Sequence, residues 1–354
     1  MAKAQNVQVY LGANVVELEP NDESTRIVAV HLRTLGGTTG LVRARQVVLA
    51  CGGIENARLL LLSNRRQSFG LGNRSALVGR FFMQHPHATV AHLVATNEDA
   101  LVNFVPMHRN ATARSGAGIA VSKMRQEELG ILNGWVQVLA DADKEGGFAS
   151  FLEIWRAVRA SSWPEDMPEK LRDVVLDIND VAGGIYYRLR DQIYPGEYRL
   201  QGARLRIQAE QAPNPDSRVT LAASRDALGL RRAQVDWKLT ELDRKTALRV
   251  AQLVAEEFGR HGFGRVGLEA WLQRDDGLWA EDLWGGCHHI GTTRMADDPD
   301  RGVVNRNCRM HSIDNLYIAG SSAFPTTGWA NPTLTIVALA LRLAEHLKQR
   351  STAG

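Results

Sequence analysis

The densest group of chemically able side chains in the 354 residues is the string CHHIGTTRM, Cys287 to Met295, joined further along by Asn331. An imidazole with an unperturbed pKa near about 6.5 is well poised to take a proton from a hydroxyl at neutral pH, so proton removal at His288 or His289 is the chemistry this cluster offers most directly. Two other chemistries use the same residue types. A zinc site built on Cys287, His288 and His289 needs a fourth ligand and a less crowded spacing. A hydrolase built on Ser321 and Ser322 needs a G-x-S-x-G elbow, and none surrounds that pair.

These residues need elements that position them. Residues from Val7 to Val30 alternate apolar runs (VQVYL, NVVELE, IVAVHL) with polar turn residues, which predicts short strands in a meander. A buried strand follows in ARQVVLACGG, closed by Gly52 and Gly53, and IENARLLLLSN continues with helical spacing. Such a turn aims a helix N-terminus and free backbone N–H groups past the sheet edge, a place suited to a phosphate-bearing group or a flavin. Closing a tight strand–helix connection explains the same glycines equally well.

Between about Ala88 and Gly285, strand-like segments (ATVAHLVAT, WVQVLAD, YRLQGARLRIQAEQ, SRVTLAAS, AQVDWKLT) mix with helical ones (ASFLEIWRAVRA, LDRKTALRVAQLVAEEFGRH) without regular alternation, which predicts an α+β domain. PNPDSR at Pro213 to Arg218 reads as a turn. Near the end, NLYIAG reads as a buried strand and LTIVALALRLAEHLKQR as an amphipathic helix. Asn331 stands where an N-cap is expected and Pro332 at the first helical position, so the intervening SSAFPTTGWANP loop is pinned at both ends.

Composition narrows the class. With 44% hydrophobic residues the chain can bury a large core, which excludes disorder and a small disulfide scaffold. A net charge of +3 from 42 basic and 39 acidic residues, without a basic block, gives no reason to expect nucleic acid or an anionic membrane. Cys51, Cys287 and Cys308 show neither CxxC nor zinc spacing, and Cys51 and Cys308 are expected to be buried small hydrophobes. The opening residues have no charged start followed by a long apolar run, and no stretch approaches about 18 consecutive apolar residues, so a cytoplasmic location without a membrane span is the expectation.

Five segments in order, VVLACGGIENARLLLLSN, GRFFMQHPH, EQAPNPDSRVTL, CHHIGTT and GVVNRNCRMHSIDNLYIAGSSAFPTTGWANPTLTIVALALRLAEHL, resemble signature segments of the glucose-methanol-choline (GMC) flavoenzymes. The resemblance runs from about Val7 to Leu347 and implies FAD-dependent oxidation of an alcohol, in the branch that acts on sugars and polyols. It implies His288 as the base and Asn331 as its partner on the substrate oxygen. Val15, Gly52, Gly53, Arg80, His85, Gly320, Ser321, Pro332 and Thr333 correspond to the family's cofactor-facing positions. Gly320 departs from the commoner acidic residue, although sugar-oxidising relatives also carry an alanine–glycine pair there. Trp284 and Trp329 flank the two catalytic segments, where indole rings suit a pyranose face; with His289 they are the substrate-facing candidates, and no metal is implied. Reduced flavin is negative on its pyrimidine side, a need that the helix starting at Pro332 meets with its dipole.

The fold the resemblance implies is α/β plus α+β. An incomplete FAD-binding Rossmann-like domain, 1–87 and 286–354, is joined to a GMC-type substrate-binding domain, 88–285, built on an antiparallel sheet. The family opens with a strand, G-x-G-x-x-G and a helix, which this sequence does not present; GLGNRS at Gly70 lacks the third glycine. A split enzyme, in which a complementing chain carries the glycine segment, is the leading expectation. A fragment of a longer enzyme and a sugar- or partner-binding remnant are the alternatives.

Overall fold

The computed structural model describes residues 4–96, 108–109, 114–115, 118–140, 146–160, 162–163, 166–190, 203–274 and 276–352. Along the chain, β1 (Asn14–Pro20), β2 (Ile27–Arg33), β3 (Thr39–Val42) and β4 (Val47–Leu49) lead into α1 (Gly52–Leu62) and β5 (His87–Ala95). Then come β6 (His108–Arg109), β7 (Arg114–Ser115), β8 (Ile119–Ala120), α2 (Lys123–Leu129), β9 (Gly134–Ala140), α3 (Gly147–Arg159), α4 (Met167–Leu176) and α5 (Ile178–Arg190). The remainder is β10 (Ala203–Ala209), β11 (Arg218–Arg225), β12 (Arg231–Asp236), α6 (Glu241–Arg260), β13 (Gly264–Leu268), α7 (Ala270–Gln273), β14 (Leu316–Ile318) and α8 (Thr333–Thr352). Among the described residues no helix is long and apolar enough to cross a membrane.

The residues pack into two compact units, Met1–His85 with Glu210–Asp243 and Gly285–Gly354, and Pro86–Ala209 with Arg244–Trp284. The segment 210–243 was expected with the substrate-binding half, yet Val219, Ala233 and Trp237 pack into the core of the first unit. In that unit β1, β2 and β3 form an antiparallel sheet, and β11 pairs with β12. β1 alternates as a half-buried strand must, with Val16 and Leu18 inward. β4 and β14 form a parallel pair in the register Val47↔Leu316, Val48↔Tyr317 and Leu49↔Ile318. The buried Asn315 ties this pair to β2: its Oδ1 accepts from the Ile27 N–H at 2.7 Å and its Nδ2 donates to the Ile27 carbonyl at 2.9 Å. Leu60, Phe82, Val304, Leu316 and Ile318 fill the core between these strands and α1.

The second unit is built on a five-stranded antiparallel sheet in the order β13-β5-β10-β9-β8. α6 buries Ala247, Val250, Ala251, Val254 and Phe258 on it, a spacing that places one apolar face of a helix on the sheet. The Tyr198–Gly202 part of one expected strand and Asp141 of another lie outside the described residues.

Two expectations are corrected. VQVYL is not a strand: Val9, Tyr10 and Leu11 are exposed and the meander starts at Asn14, because the alternation of short apolar runs carries no information about which runs find a partner. Gly262, Gly264 and Gly267 do carry the G-x-G-x-x-G spacing, but they lead from α6 into β13, the reverse of the strand-to-helix order a phosphate-binding fingerprint needs.

Candidate active site

The strip 288–295 is clamped on both edges within the first unit. On one edge Met83 and Ile290 exchange backbone hydrogen bonds of 3.0 and 2.9 Å, and the Gly79 N–H donates to the Thr292 carbonyl at 2.8 Å. On the other, the Gly291, Thr293 and Met295 N–H groups donate to the carbonyls of Ser321, Ser322 and Ala323. Three of the motif segments thus become neighbouring strands of backbone. Gly286 and Cys287, both with positive φ, turn the chain into this strip.

α1 supplies the floor. A Cβ on Gly53 would lie 2.4 Å from the His289 carbonyl oxygen, so only glycine lets the helix start approach this closely. Ser321 Oγ donates to the same His289 carbonyl at 2.7 Å, and Thr292 Oγ1 donates to the Gly53 carbonyl. The fully buried Asn56 accepts from the Cys51 N–H and donates to Ser322 Oγ, each at 2.9 Å.

His288 stands half-buried at the head of the strip, and its Nδ1 is buried without a hydrogen-bond partner. Burial alone holds its imidazole below the ordinary histidine range, with no charged group contributing. The ring is neutral at pH 7 and ready to accept a proton. His289 is lowered first by burial and then by the charge of His288, and its ring lies 5.6 Å from that of Phe82. The His85 ring meets His288 edge-on, centroids 5.0 Å apart at 75°. His85 is fully buried, and its Nδ1 lies 3.1 Å from the Gly328 carbonyl.

The other candidate residues divide into those spent inside the protein and those left open. Arg80 is committed to the carbonyls of Ala76 and Pro215 and to Asp216, and Gly53 and Ser321 are committed to the His289 backbone. Gly52 and Gly320 have open space where a Cβ would stand, with φ of 85° and 107°, and Val15 is exposed on β1. The Ile336 N–H donates to the Pro332 carbonyl at 2.9 Å, which makes Pro332 the N-cap of α8 and shifts Asn331 one residue ahead of the expected cap. No acidic residue occupies the first turn of α8. Trp329 is part-buried in the loop before it. Trp284 belongs to the second unit, where its ring lies 4.6 Å from that of His87. Cys308 is buried, but Cys51, expected to be buried, is exposed at the start of α1 because the glycine turn lifts it off the strand. Among the described residues no group of three or more His, Cys, Asp or Glu side chains is arranged to hold a metal ion.

Sequence reasoning missed Gln211. Fully buried, it accepts at Oε1 from the Gln84 N–H and from Trp237 Nε1, donates from Nε2 to the Lys238 carbonyl, and donates its own N–H to Thr327 Oγ1. Asn56 was missed likewise. Both are polar residues inside apolar-looking segments, and nothing local marks their distant partners.

The half-buried His288, with its buried Nδ1 and the His85 ring against it, thus stands beside a strip held by α1 and the 321–323 turn on a mixed α/β scaffold. Residues 213–340 match the family profile described as GMC oxidoreductase. The chain is 29% identical to paromamine 6'-oxidase of Streptomyces fradiae over 98% of this chain and 53% of the relative, and 25% identical to the fructose dehydrogenase large subunit of Gluconobacter japonicus over 94% and 52%. The chain therefore spans about half the length of these relatives. Pyridoxine 4-oxidase from Mesorbium loti superposes with a TM-score of 0.57 at 18% identity, covering 98% of this chain and 59% of the other, and shares the fold.

Proposed function

We propose that this chain carries the catalytic base and part of the cofactor cradle of a FAD-dependent oxidoreductase that converts a CH–OH group of a sugar or polyol to a carbonyl. The observation that carries the proposal is His288, a half-buried imidazole kept neutral by burial, with a buried Nδ1 that nothing in the protein occupies. The similarity to sugar-acting relatives supports the substrate class.

The open residues fit the cofactor. Gly52, Gly320, the exposed Val15 and the start of α8, where Pro332 is buried and Thr333 exposed, are the positions that would hold FAD, through backbone without Cβ obstruction and a helix N-terminus free of acidic side chains. Bound FAD supplies the acceptor for the hydride. His288 takes the hydroxyl proton at Nε2, the ring nitrogen other than the buried one, and Asn331 holds the substrate oxygen with its amide. Without a partner for Nδ1, the imidazolium that forms is poorly stabilised and readily gives its proton up again.

The FAD-binding part corresponds to the first unit, as an incomplete Rossmann-like layer, and the substrate-binding part to the second. A two-stranded parallel sheet is an unusual end state, since parallel strands are normally covered on both faces and paired along both edges. β4 and β14 form such a pair, bonded beyond β14 to Cys308 and Met310, while Val48 on β4 is exposed, and Leu334, Val337 and Leu341 form an exposed apolar stripe on α8. A complementing polypeptide that brings further strands and a strand-to-helix glycine fingerprint would cover these surfaces and complete the site.

The visible spectrum of the chain purified alone, and again after co-expression with its adjacent reading frame, tests both parts. Oxidised-flavin peaks confined to the co-expressed sample support the split arrangement. Flavin held by the lone chain would remove the complementing polypeptide, and absence of flavin from both would remove the redox reading. In flavin-loaded protein, His288→Ala should abolish bleaching by alcohol substrate, and an undiminished rate would take His288 out of the base role.

A further inference from the structure

We infer that His85 is a positioning residue that couples the His288 ring to the loop 325–331, through its edge contact with His288 and its Nδ1–H bond to the Gly328 carbonyl. The inference rests on the reading of His288 as the base.

The loop is a long connection without regular structure of its own between the turn at Ser321–Ala323 and α8, and it carries Asn331. Its backbone must be held by groups from elsewhere, and three such contacts come from Arg294, Gln211 and His85. Arg294 Nη2 donates to the Pro325 carbonyl at 3.4 Å, a long bond that contributes little. Thr327 Oγ1 accepts from the Gln211 N–H at 3.1 Å, and the Gly328 carbonyl, three residues before Asn331, is held by His85. His85 alone among these anchors also touches the base. It is in turn fixed from behind, because its neighbour Gln84 donates its N–H to the buried Gln211 and Met83 is paired to Ile290. A donating Nδ1–H sets the tautomer and ring plane of His85, and with it the wall against which His288 rests. A displacement of the loop or of the base by about 1 Å is enough to cost on the order of a hundred-fold in rate, so a residue that fixes one to the other has a kinetic consequence without touching substrate.

The side chains of Asn and Gln separate this role from mere filling of space. The Asn amide nitrogen falls near the position of Nδ1 and can keep the Gly328 bond; the Gln amide reaches toward Nε2 and cannot. Chymotryptic cleavage after Trp329 reports how often the loop opens, with cleavage after the exposed Tyr186 as the control for global change. Cleavage at Trp329 should be on the order of ten-fold faster in His85→Gln and His85→Ala than in the native chain, and near native in His85→Asn, with the rate at Tyr186 unchanged. In flavin-loaded protein, turnover should fall in the order native, Asn, Gln with KM little altered. Equal cleavage at Trp329 in all variants, or an Asn variant no better than Gln, would overturn the coupling. If His288→Ala retains full turnover, the base reading fails on its own, and the cleavage rates still decide whether His85 holds the loop.

Discussion

The side chains that matter most at the site are small or neutral, and their effects follow from what surrounds them. His288 is depressed by burial, so the fraction in the proton-accepting form stays high until the pH falls below the ordinary histidine value of about 6.5. The acid limb of kcat/KM for alcohol oxidation should therefore lie below that value, with activity lost as pH falls through it; a limb at or above 6.5 would contradict the burial argument. Gly53 makes a different kind of demand. A methyl group there would meet the His289 carbonyl at 2.4 Å, and both partners are backbone, so neither can swing away. Gly53→Ala should cost about 1–3 kcal/mol of stability by overpacking and slow the reaction by tilting the His288 strip, seen together in urea unfolding and in flavin reduction. Histidines and glycines can be singled out in the sequence because their residue types announce what chemistry or backbone shape they allow. Asn56 and Gln211 cannot, since a polar side chain reveals its role only through its partner, and for Asn56 that partner is Ser322, 266 positions away.

Elements were legible where local pattern and tertiary demand agree. The change from an apolar β-branched run through glycines to helical spacing identifies β4 and α1, and the apolar stripe of α6 identifies the helix that covers the five-stranded sheet. The pattern could not say that VQVYL lacks a partner or that 210–243 packs with the first unit, because pairing is settled by residues far off in sequence. Asn315 illustrates the point. Its amide satisfies both backbone groups of Ile27, joining β2 to the start of β14 across 288 positions, and it is 1% exposed. Asn315→Ala leaves a buried N–H and a buried carbonyl unpaired, at about 1–3 kcal/mol each. The variant should unfold at clearly lower urea, while Asn214→Ala, in the exposed turn 213–218, should shift the midpoint far less.

At the scale of the whole molecule, the question is what the uncovered apolar surface is for. Leu334 is 82% and Leu341 68% exposed on α8, on the same side of the helix as Val337, in the same unit as a parallel strand pair whose β14 edge is bonded to Cys308 and Met310 and whose β4 edge invites a further strand. Covering a leucine side chain is worth about 1.5–3 kcal/mol, so losing two from an interface weakens it by more than about a hundred-fold. In the isolated chain both side chains already face water, and a carboxylate in their place costs little. If a complementing polypeptide docks here as proposed, the double variant Leu334→Glu with Leu341→Glu should fold as the native chain does, with an unchanged urea midpoint, and fail to acquire flavin on co-expression with the adjacent reading frame. Both readings are needed, because they separate the two uses a hydrophobic stripe can have. Flavin acquired at the native level by a normally folded double variant would show that α8 is not where the partner docks. A variant that unfolds would show that the stripe is covered within the chain itself.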